Sequence, residues 1–273
     1  MRDSQQKQIL LDIKAIADSL QISILLVGAG ARILVFDKRY NVEGRVTFDL
    51  DLAVKIDNWS TFEVLSLRMT QGTNPLFKVT RIQHRFLHIA TGILVDIVPF
   101  GAIGKPNQQI QWSDGNQMSI IGLEEAFSTA ELQQIEDVEI NVINILAIIA
   151  LKLMAWSDRK AVKDLKDVYF ILENYNDESI FIERINEIPE GFVKSKEVFS
   201  FVLGYDIKNT FSQDLVNKIN QILIQILHKQ NSLFPQLISR IFDEEEWDDK
   251  FYTIVAKFEA LKQGLEYFSP NER

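Results

Sequence analysis

The chain of 273 residues is 47% hydrophobic and carries a formal net charge of −9 at pH 7. It has no cysteine and three histidines, which excludes disulfides and thiolate metal sites and argues against a zinc enzyme. The acidic balance argues against a broad nucleic-acid-binding surface but leaves room for a local basic pocket. No charge-free apolar run reaches about 18 residues and the N-terminus has no signal-peptide pattern, so the sequence predicts a cytoplasmic protein without a membrane segment.

The chain opens with a helical pattern, a buried strand and a turn of small residues. Apolar positions over residues 9–20 follow helical spacing, and Ile22–Val27 is typical of a short buried strand. The strand ends at Gly28-Ala29-Gly30, before a predicted helix over residues 31–36. Backbone N–H groups in such a turn are free to bind an anion, so it is either a phosphate-binding turn or an ordinary helix start. A dinucleotide fingerprint is excluded, because Ile33 occupies a position that needs a small residue.

The next strand is predicted over Val46–Lys55, where apolar and polar residues alternate strictly. One face is expected to pack on the core; its members are Phe48, Leu50, Leu52, Val54 and Ile56. The other face carries Asp49 and Asp51, two like charges on adjacent same-face positions. A divalent cation such as Mg²⁺ would neutralise the pair, since it prefers carboxylate oxygens. The alternative is an exposed edge strand with two solvated acids.

A third acid lies in a later strand. A helix is predicted from Ser60, with Glu63 completing a capping box, and then strands over Phe77–Ala90 and residues 93–98. Asp96 is the one carboxylate within that last apolar strand, and an unpaired acid there would be costly to bury. It either joins Asp49 and Asp51 in a metal site or pairs with an arginine such as Arg81 or Arg85. His84 and His88 are assigned to the surface of a hairpin.

A basic cluster follows in the second half of the chain. The predicted helix over residues 143–157 is apolar except for Lys152, and Arg159 and Lys163 lie on a similar face. These cations are interpreted as a clamp for a triphosphate. The alternative is a set of ion pairs with Asp164 and Asp167 on a solvated helix. Beyond Tyr175 the pattern is helical almost throughout and indicates no catalytic residue.

The order of these motifs resembles that of a known enzyme superfamily, the DNA polymerase β-type nucleotidyltransferases. Within it the chain is most similar to the AbiEii/AbiGii-type toxin nucleotidyltransferases. The resemblance covers about residues 20–175 and leaves the last hundred residues unmatched. The matching segments are 27–32, 45–51, 95–101, 118–126 and 151–156, with Arg159, Lys163 and Asp164. The superfamily's Gly-Ser or Gly-Gly pair is Gly28-Ala29 here, so only backbone N–H groups can contact phosphate at that turn.

The resemblance implies an α+β fold, with a mixed, mainly antiparallel sheet over residues 1–140 as the catalytic domain and a helical domain over residues 141–273. It implies metal binding by Asp49 and Asp51, with Asp96 completing the site, and contact of Lys152 with the triphosphate. Asp164 or Asp167 corresponds to the later acid of the family's downstream motif. The wider nucleotide-binding set that we predict comprises Gly28, Ala29, Arg32, Arg45, Thr47, Arg159, Lys163 and Asp164.

The predicted reaction is transfer of an NMP from an NTP to an acceptor hydroxyl, with two Mg²⁺ ions. The toxin resemblance implies an RNA acceptor, such as the 3′ end of tRNA, and a cognate antitoxin as partner. The acidic charge leaves open a small cationic acceptor, as for aminoglycoside nucleotidyltransferases. A non-catalytic module that retains the nucleotide pocket is a further alternative. A nicotinamide-dependent dehydrogenase is a poor one, because the glycine pattern fails.

Overall fold

The computed structural model describes residues 3–135, 137–179, 197–238 and 243–267. The chain divides into two compact units, Met1–Ile148 and Ile149–Arg273. All strands of the described residues lie in the first unit, while the regular structure described in the second unit is helical. The expected α+β fold with a helical C-terminal region is confirmed.

The first unit is built on a mixed seven-stranded sheet and a separate two-stranded hairpin. The strands are β1 Ser23–Val27, β2 Asp49–Lys55, β3 Phe77–Val79, β4 Arg85–His88, β5 Leu94–Phe100, β6 Gln109–Gln111, β7 Gln117–Ser119, β8 Glu131–Ile135 and β9 Val138–Val142. The sheet order is β3-β4-β5-β2-β1-β9-β8, and β6 pairs with β7. Within the large sheet, β1 runs parallel to β9 and β2 parallel to β5, whereas every other neighbouring pair is antiparallel. The sheet is therefore mainly antiparallel, as predicted.

Helices and short helical turns connect these strands. They are α1 Asp3–Ser19, α2 Gly28–Arg32, a π turn Ile33–Asp37, α3 Lys38–Tyr40, α4 Trp59–Thr70, a 3-10 turn Ala102–Gly104 and α5 Leu123–Ser128. Helix α4 begins two residues earlier than the predicted capping box places it, because Asn58 rather than Ser60 is its N-cap and accepts a hydrogen bond from the Thr61 N–H at 3.0 Å. Helix α6, Ile145–Arg159, then carries the chain into the second unit.

Strand β2 is shorter than the alternating sequence pattern predicts. Leu50, Leu52 and Val54 are fully buried, as expected, but Phe48 is 82% exposed and Val46 is 60% exposed. The pairing of β2 with its two neighbours reaches only as far as Asp49, since β1 ends opposite Asp51 and β5 begins opposite Asp49. Residues before Asp49 therefore have no strand beside them, and the prediction that Phe48 faces the core is wrong.

The segment predicted as one strand over Phe77–Ala90 is a hairpin. Strands β3 and β4 pair antiparallel, with Phe77 opposite His88. The chain turns after Thr80, whose hydroxyl oxygen accepts a hydrogen bond from the Ile82 N–H at 3.1 Å. His88 is fully buried, contrary to the expected surface position, and its ring nitrogens lie 2.8 Å from Asp12 Oδ2 and from Thr91 Oγ1.

The second unit packs helices around an aromatic core. After α6 come α7 Val162–Asn174, α8 Val198–Thr210, α9 Gln213–His228, α10 Gln230–Leu233, a 3-10 turn Phe234–Leu237 and α11 Glu244–Glu266. Helices α8 and α11 lie in close contact at two glycines. A Cβ atom at Gly204 would lie 2.0 Å from the Leu261 carbonyl oxygen, and one at Gly264 would lie 2.0 Å from the Phe201 carbonyl oxygen. Only glycine allows this approach.

Candidate active site

Three carboxylates meet on the central strands of the sheet. Asp49 and Asp51 lie on β2, and Asp96 lies on β5 directly opposite Asp51 in the parallel register. Each offers one carboxylate oxygen that lies within 4.8 Å of the others, and all three side chains are partly exposed. The structure thus brings together the three acids that the sequence assigned to a metal site.

The turn after β1 lies against Asp51. Val27 pairs with Asp51 across the antiparallel β1–β2 register, so the next residue, Gly28, meets the same side chain. Gly28 has φ +66°, and a Cβ atom there would lie 2.1 Å from Asp51 Oδ2. Both the backbone conformation and the space demand glycine. Ala29, the second residue of this turn, is buried in α2.

Thr47 holds the first carboxylate of β2. Its side chain is buried, and its hydroxyl lies 2.6 Å from Asp49 Oδ1, as a donor to that oxygen. A hydroxyl donor on a carboxylate fixes the side-chain orientation and leaves the other oxygen available. Thr47 was predicted to bind nucleotide; in this structure its hydroxyl contacts Asp49.

Arg85 on β4 provides a positive charge at the cluster. Its Nε and Nη2 donate to the two oxygens of Asp96, each at 2.6 Å, and its Nη2 lies 3.7 Å from Asp49 Oδ2. The pairing follows from the sheet register, which places Arg85 directly opposite Asp96. These hydrogen bonds raise the pKa of Arg85 above its ordinary value, while burial opposes the shift. Of the two arginines considered from sequence, Arg85 is the one that pairs, and Arg81 is exposed.

The donor set fits a hard divalent cation at Asp49 and Asp51. Clustered carboxylate oxygens are the ligands that Mg²⁺ takes in proteins. Asp96 is already neutralised by a bidentate arginine, so its participation requires that it share or exchange that partner. A metal ion would therefore compete with Arg85 for Asp96. Pairing of Asp96 with an arginine was predicted from the sequence only as an alternative to metal binding.

Arg32 and Arg45, both predicted to bind nucleotide, lie in different environments. Arg32 is only 1% exposed, and its Nε and Nη2 donate to the Asp37 carboxylate at 3.1 Å each. Its Nη2 also donates to the Arg45 carbonyl oxygen at 2.9 Å. Arg32 thereby ties the segment that leads into β2 to the π turn. The side chain of Arg45 is exposed.

In the second unit, Lys152 and two acids of α7 form a buried ionic cluster. Lys152 Nζ lies 2.6 Å from Asp167 Oδ2 and 3.7 Å from Asp164 Oδ1. Asp164 is fully buried and also accepts hydrogen bonds from Arg159 at 2.7 and 2.5 Å. Lys152 and Arg159 thus meet the acids that alternate with them, with Lys152 and both acids largely buried and the Arg159 side chain 50% exposed. Lys163 is exposed.

No helix in the described part of the chain is both long and apolar enough to span a membrane. None of the curated proteins with which the chain was compared matches it. Two of the solved structures that resemble it are each 13% identical to it in sequence. One is the antibiotic-resistance factor ANT(2'')-Ia, with a TM-score of 0.39, covering 84% of this chain and 97% of that one. The other is JHP933 from Helicobacter pylori, with a TM-score of 0.42, covering 97% of this chain and 93% of that one.

A family model gives the assignment. The model of the nucleotidyl transferase AbiEii toxin of type IV toxin–antitoxin systems matches residues 19–225. This range spans most of the chain and contains the glycine turn, the three carboxylates and the ionic cluster of the second unit. The chain belongs to the AbiEii family of nucleotidyl transferase toxins.

Proposed function

We propose that this nucleotidyltransferase moves an NMP from an NTP to an acceptor hydroxyl at Asp49, Asp51 and Asp96. The acceptor oxygen forms a bond to the α-phosphorus, the bond from that phosphorus to the bridging oxygen breaks, and pyrophosphate leaves. The acceptor hydroxyl loses its proton. The observation that carries the proposal is the convergence of three carboxylate oxygens within 4.8 Å beside the Gly28 turn.

A divalent cation belongs to this proposal, with Asp49 and Asp51 as its ligands. When bound, Mg²⁺ would offset charge on the phosphates and lower the pKa of the acceptor hydroxyl. Thr47 keeps Asp49 oriented through its 2.6 Å hydrogen bond. We expect a second ion to bind only if Arg85 releases one oxygen of Asp96 to it.

Asp96 is the side chain that we propose as proton acceptor. Each of its oxygens accepts one hydrogen bond from Arg85 and retains a further lone pair. Arg85 also fixes the orientation of the carboxylate, because a bidentate pair allows one planar geometry. Proton transfer to Asp96 requires the acceptor hydroxyl to be activated at the same time.

The second part of the proposal concerns the nucleotide phosphates. The backbone of the Gly28–Ala29 turn and the exposed side chain of Arg45 are proposed to contact them. For the helical domain, residues 141–273, we propose that Lys152 contacts the triphosphate and that Asp164 and Asp167 hold its ammonium group when no nucleotide is bound. The support is the family's lysine motif together with the 2.6 Å contact to Asp167. Arg159 and Lys163 remain proposed contributors to phosphate binding. The buried Arg32 is proposed to contribute indirectly, through its contact with Asp37.

We further propose an RNA acceptor, such as tRNA, and a cognate antitoxin. The type IV toxin–antitoxin family supports the antitoxin, whereas the RNA acceptor rests on the resemblance of the motifs to those of the toxins. Transfer of α-labelled NTPs, each tested separately with Mg²⁺, to total cellular tRNA tests the acceptor. An RNA acceptor predicts label on tRNA and a steep loss of transfer with added salt, because phosphate contacts release counterions.

The same assay with a small cationic aminoglycoside tests the alternative to an RNA acceptor. Label on the aminoglycoside, with none on tRNA, would contradict the RNA acceptor while leaving nucleotidyl transfer intact. NTP binding without turnover on either acceptor would contradict the catalytic role of the carboxylates.

A further inference from the structure

An aromatic cavity in the first unit lies outside the carboxylate cluster. It has a volume of about 500 Å³ and is lined in part by Trp59, Phe62 and Trp112. The Trp112 ring packs against Trp59 and Phe62, with ring centroids 5.1 and 5.6 Å away. Its volume is within the range of roughly 300–1,000 Å³ that small-ligand pockets occupy. Indole and phenyl walls of this kind stack well against planar rings.

The polar groups of this cavity are neutral or acidic. Gln83 Nε2 donates to Ser113 Oγ at 2.6 Å, and the Ser113 N–H donates to Gln83 Oε1 at 3.1 Å, which fixes the amide at the wall. Glu63 lines the same space and is exposed. No lysine or arginine is among the described residues that line it. A phosphate would find no counter-charge here, whereas a ring with amine and carbonyl groups would find both donors and acceptors.

Trp112 also has an unmet hydrogen-bonding need. Its side chain lines the cavity, the residue is 5% exposed, and its indole N–H has no acceptor among the described residues. A buried donor without an acceptor is destabilising. The indole N–H is itself covered, so Trp112 contributes its ring to the cavity wall and no hydrogen bond to a ligand.

The cavity wall and the carboxylate cluster share one stretch of backbone. The ring of His84 lies 5.3 Å from that of Trp112, and the next residue, Arg85, holds Asp96. The His84 carbonyl oxygen accepts a hydrogen bond from the Ile97 N–H at 2.7 Å, so this stretch is tied to β5 beside Asp96. Gln83 and His84 lie in the turn between β3 and β4, which is closed by a hydrogen bond from the Arg85 N–H to the Ile82 carbonyl oxygen at 3.0 Å. Gln83 is therefore two residues from Arg85 within one fixed turn.

We infer that the cavity binds an unpaired nucleobase of the RNA acceptor, which rests on the proposed function. The base stacks on the tryptophan rings, and its exocyclic groups hydrogen-bond to Glu63 and Gln83. Proteins that recognise single-stranded RNA commonly bind splayed bases in this way, through aromatic stacking and base-edge hydrogen bonds. The RNA strand then continues past His84, which places the acceptor hydroxyl of the RNA at the carboxylates.

The test uses the full chain with the Asp51→Asn substitution, which prevents turnover, and a short unstructured RNA oligomer as probe. Binding is followed by quenching of tryptophan fluorescence and by anisotropy of a labelled oligomer. Stacking contributes about 1–3 kcal/mol per base, so Trp59→Leu is expected to weaken RNA binding roughly tenfold or more. Trp247→Leu is the matched control, because Trp247 stacks on Phe251 in the second unit. It should leave binding unchanged.

A milder variant protects the test against misfolding. Glu63 is exposed on α4, so Glu63→Gln should fold normally and still weaken RNA binding several-fold. In the active chain, both cavity variants should raise the KM for RNA and leave the KM for NTP unchanged. An unchanged KM for RNA, in a protein that labels RNA, would overturn the cavity assignment alone. Failure of the intact chain to bind the oligomer would overturn it together with the RNA acceptor.

Discussion

Arg85 should weaken the binding of divalent cations, and replacing it with glutamine should strengthen that binding. Its guanidinium lies 3.7 Å from Asp49 Oδ2 and holds both oxygens of Asp96. An ion on the Asp49 carboxylate would therefore be close to a fixed positive charge. Arg85→Gln removes this charge and frees Asp96, while glutamine can still donate one hydrogen bond.

The size of the effect follows from Coulomb's law. A single and a double positive charge about 5 Å apart repel by roughly 1.7 kcal/mol in water and roughly 7 kcal/mol at an effective dielectric constant near 20. Arg85 has 29% of its side chain exposed, so the value near that of water is the appropriate one. About 1.4 kcal/mol corresponds to a factor of ten, and we therefore expect Mn²⁺ to bind Arg85→Gln at least about tenfold more tightly.

The assay is calorimetric titration of Mn²⁺ into the protein without nucleotide, with paramagnetic resonance of free Mn²⁺ as a second readout. Arg81→Gln is the matched control, because Arg81 is an exposed arginine of the same hairpin, four residues earlier. It removes the same charge from the chain and should leave the affinity almost unchanged. Equal or weaker Mn²⁺ binding by Arg85→Gln would refute the competition between arginine and metal.

Two further substitutions test the packing around the site and the ionic cluster. Gly28→Ala should reduce transfer more than a hundredfold and lower the Tm, because the new Cβ would lie 2.1 Å from Asp51 Oδ2; thermal unfolding beside an activity assay checks this, and wild-type behaviour would contradict the close approach. Lys152→Met should destabilise the protein by about 3 kcal/mol, since it leaves the buried carboxylates of Asp164 and Asp167 short of a counter-charge. Chemical denaturation measures that loss, and an unchanged midpoint would show that the cluster contributes little.

The central strand and its carboxylates were predictable because period-two alternation and burial agree there. Leu50, Leu52 and Val54 are buried, and Asp49 and Asp51 share the opposite face with Asp96 beside them. Alternation alone could not show where pairing stops. Phe48 continues the apolar pattern, yet it lies beyond both neighbouring strands and is exposed.

Long-range partners were the part that sequence could not assign. His88 meets Asp12 of α1, which is 76 positions away, and Arg85 meets Asp96 only because β4 and β5 pair in one particular register. A one-residue shift of that register would have moved Arg85 to the other face. The hairpin of β3 and β4 was predicted as one continuous strand because its turn has neither glycine nor proline and begins at Thr80. The buried state of Asp164 likewise depends on how α6 and α7 pack.

A double-label experiment tests whether the three carboxylates catalyse nucleotidyl transfer. The intact chain and Asp51→Asn are each incubated with Mg²⁺, total RNA and one NTP that carries label on either the α- or the γ-phosphate. Circular dichroism confirms that the variant is folded. We expect α-label on the acceptor, γ-label released as pyrophosphate, and loss of both signals in Asp51→Asn. Transfer of γ-label to the acceptor, or full α-label transfer by Asp51→Asn, would contradict nucleotidyl transfer at these carboxylates.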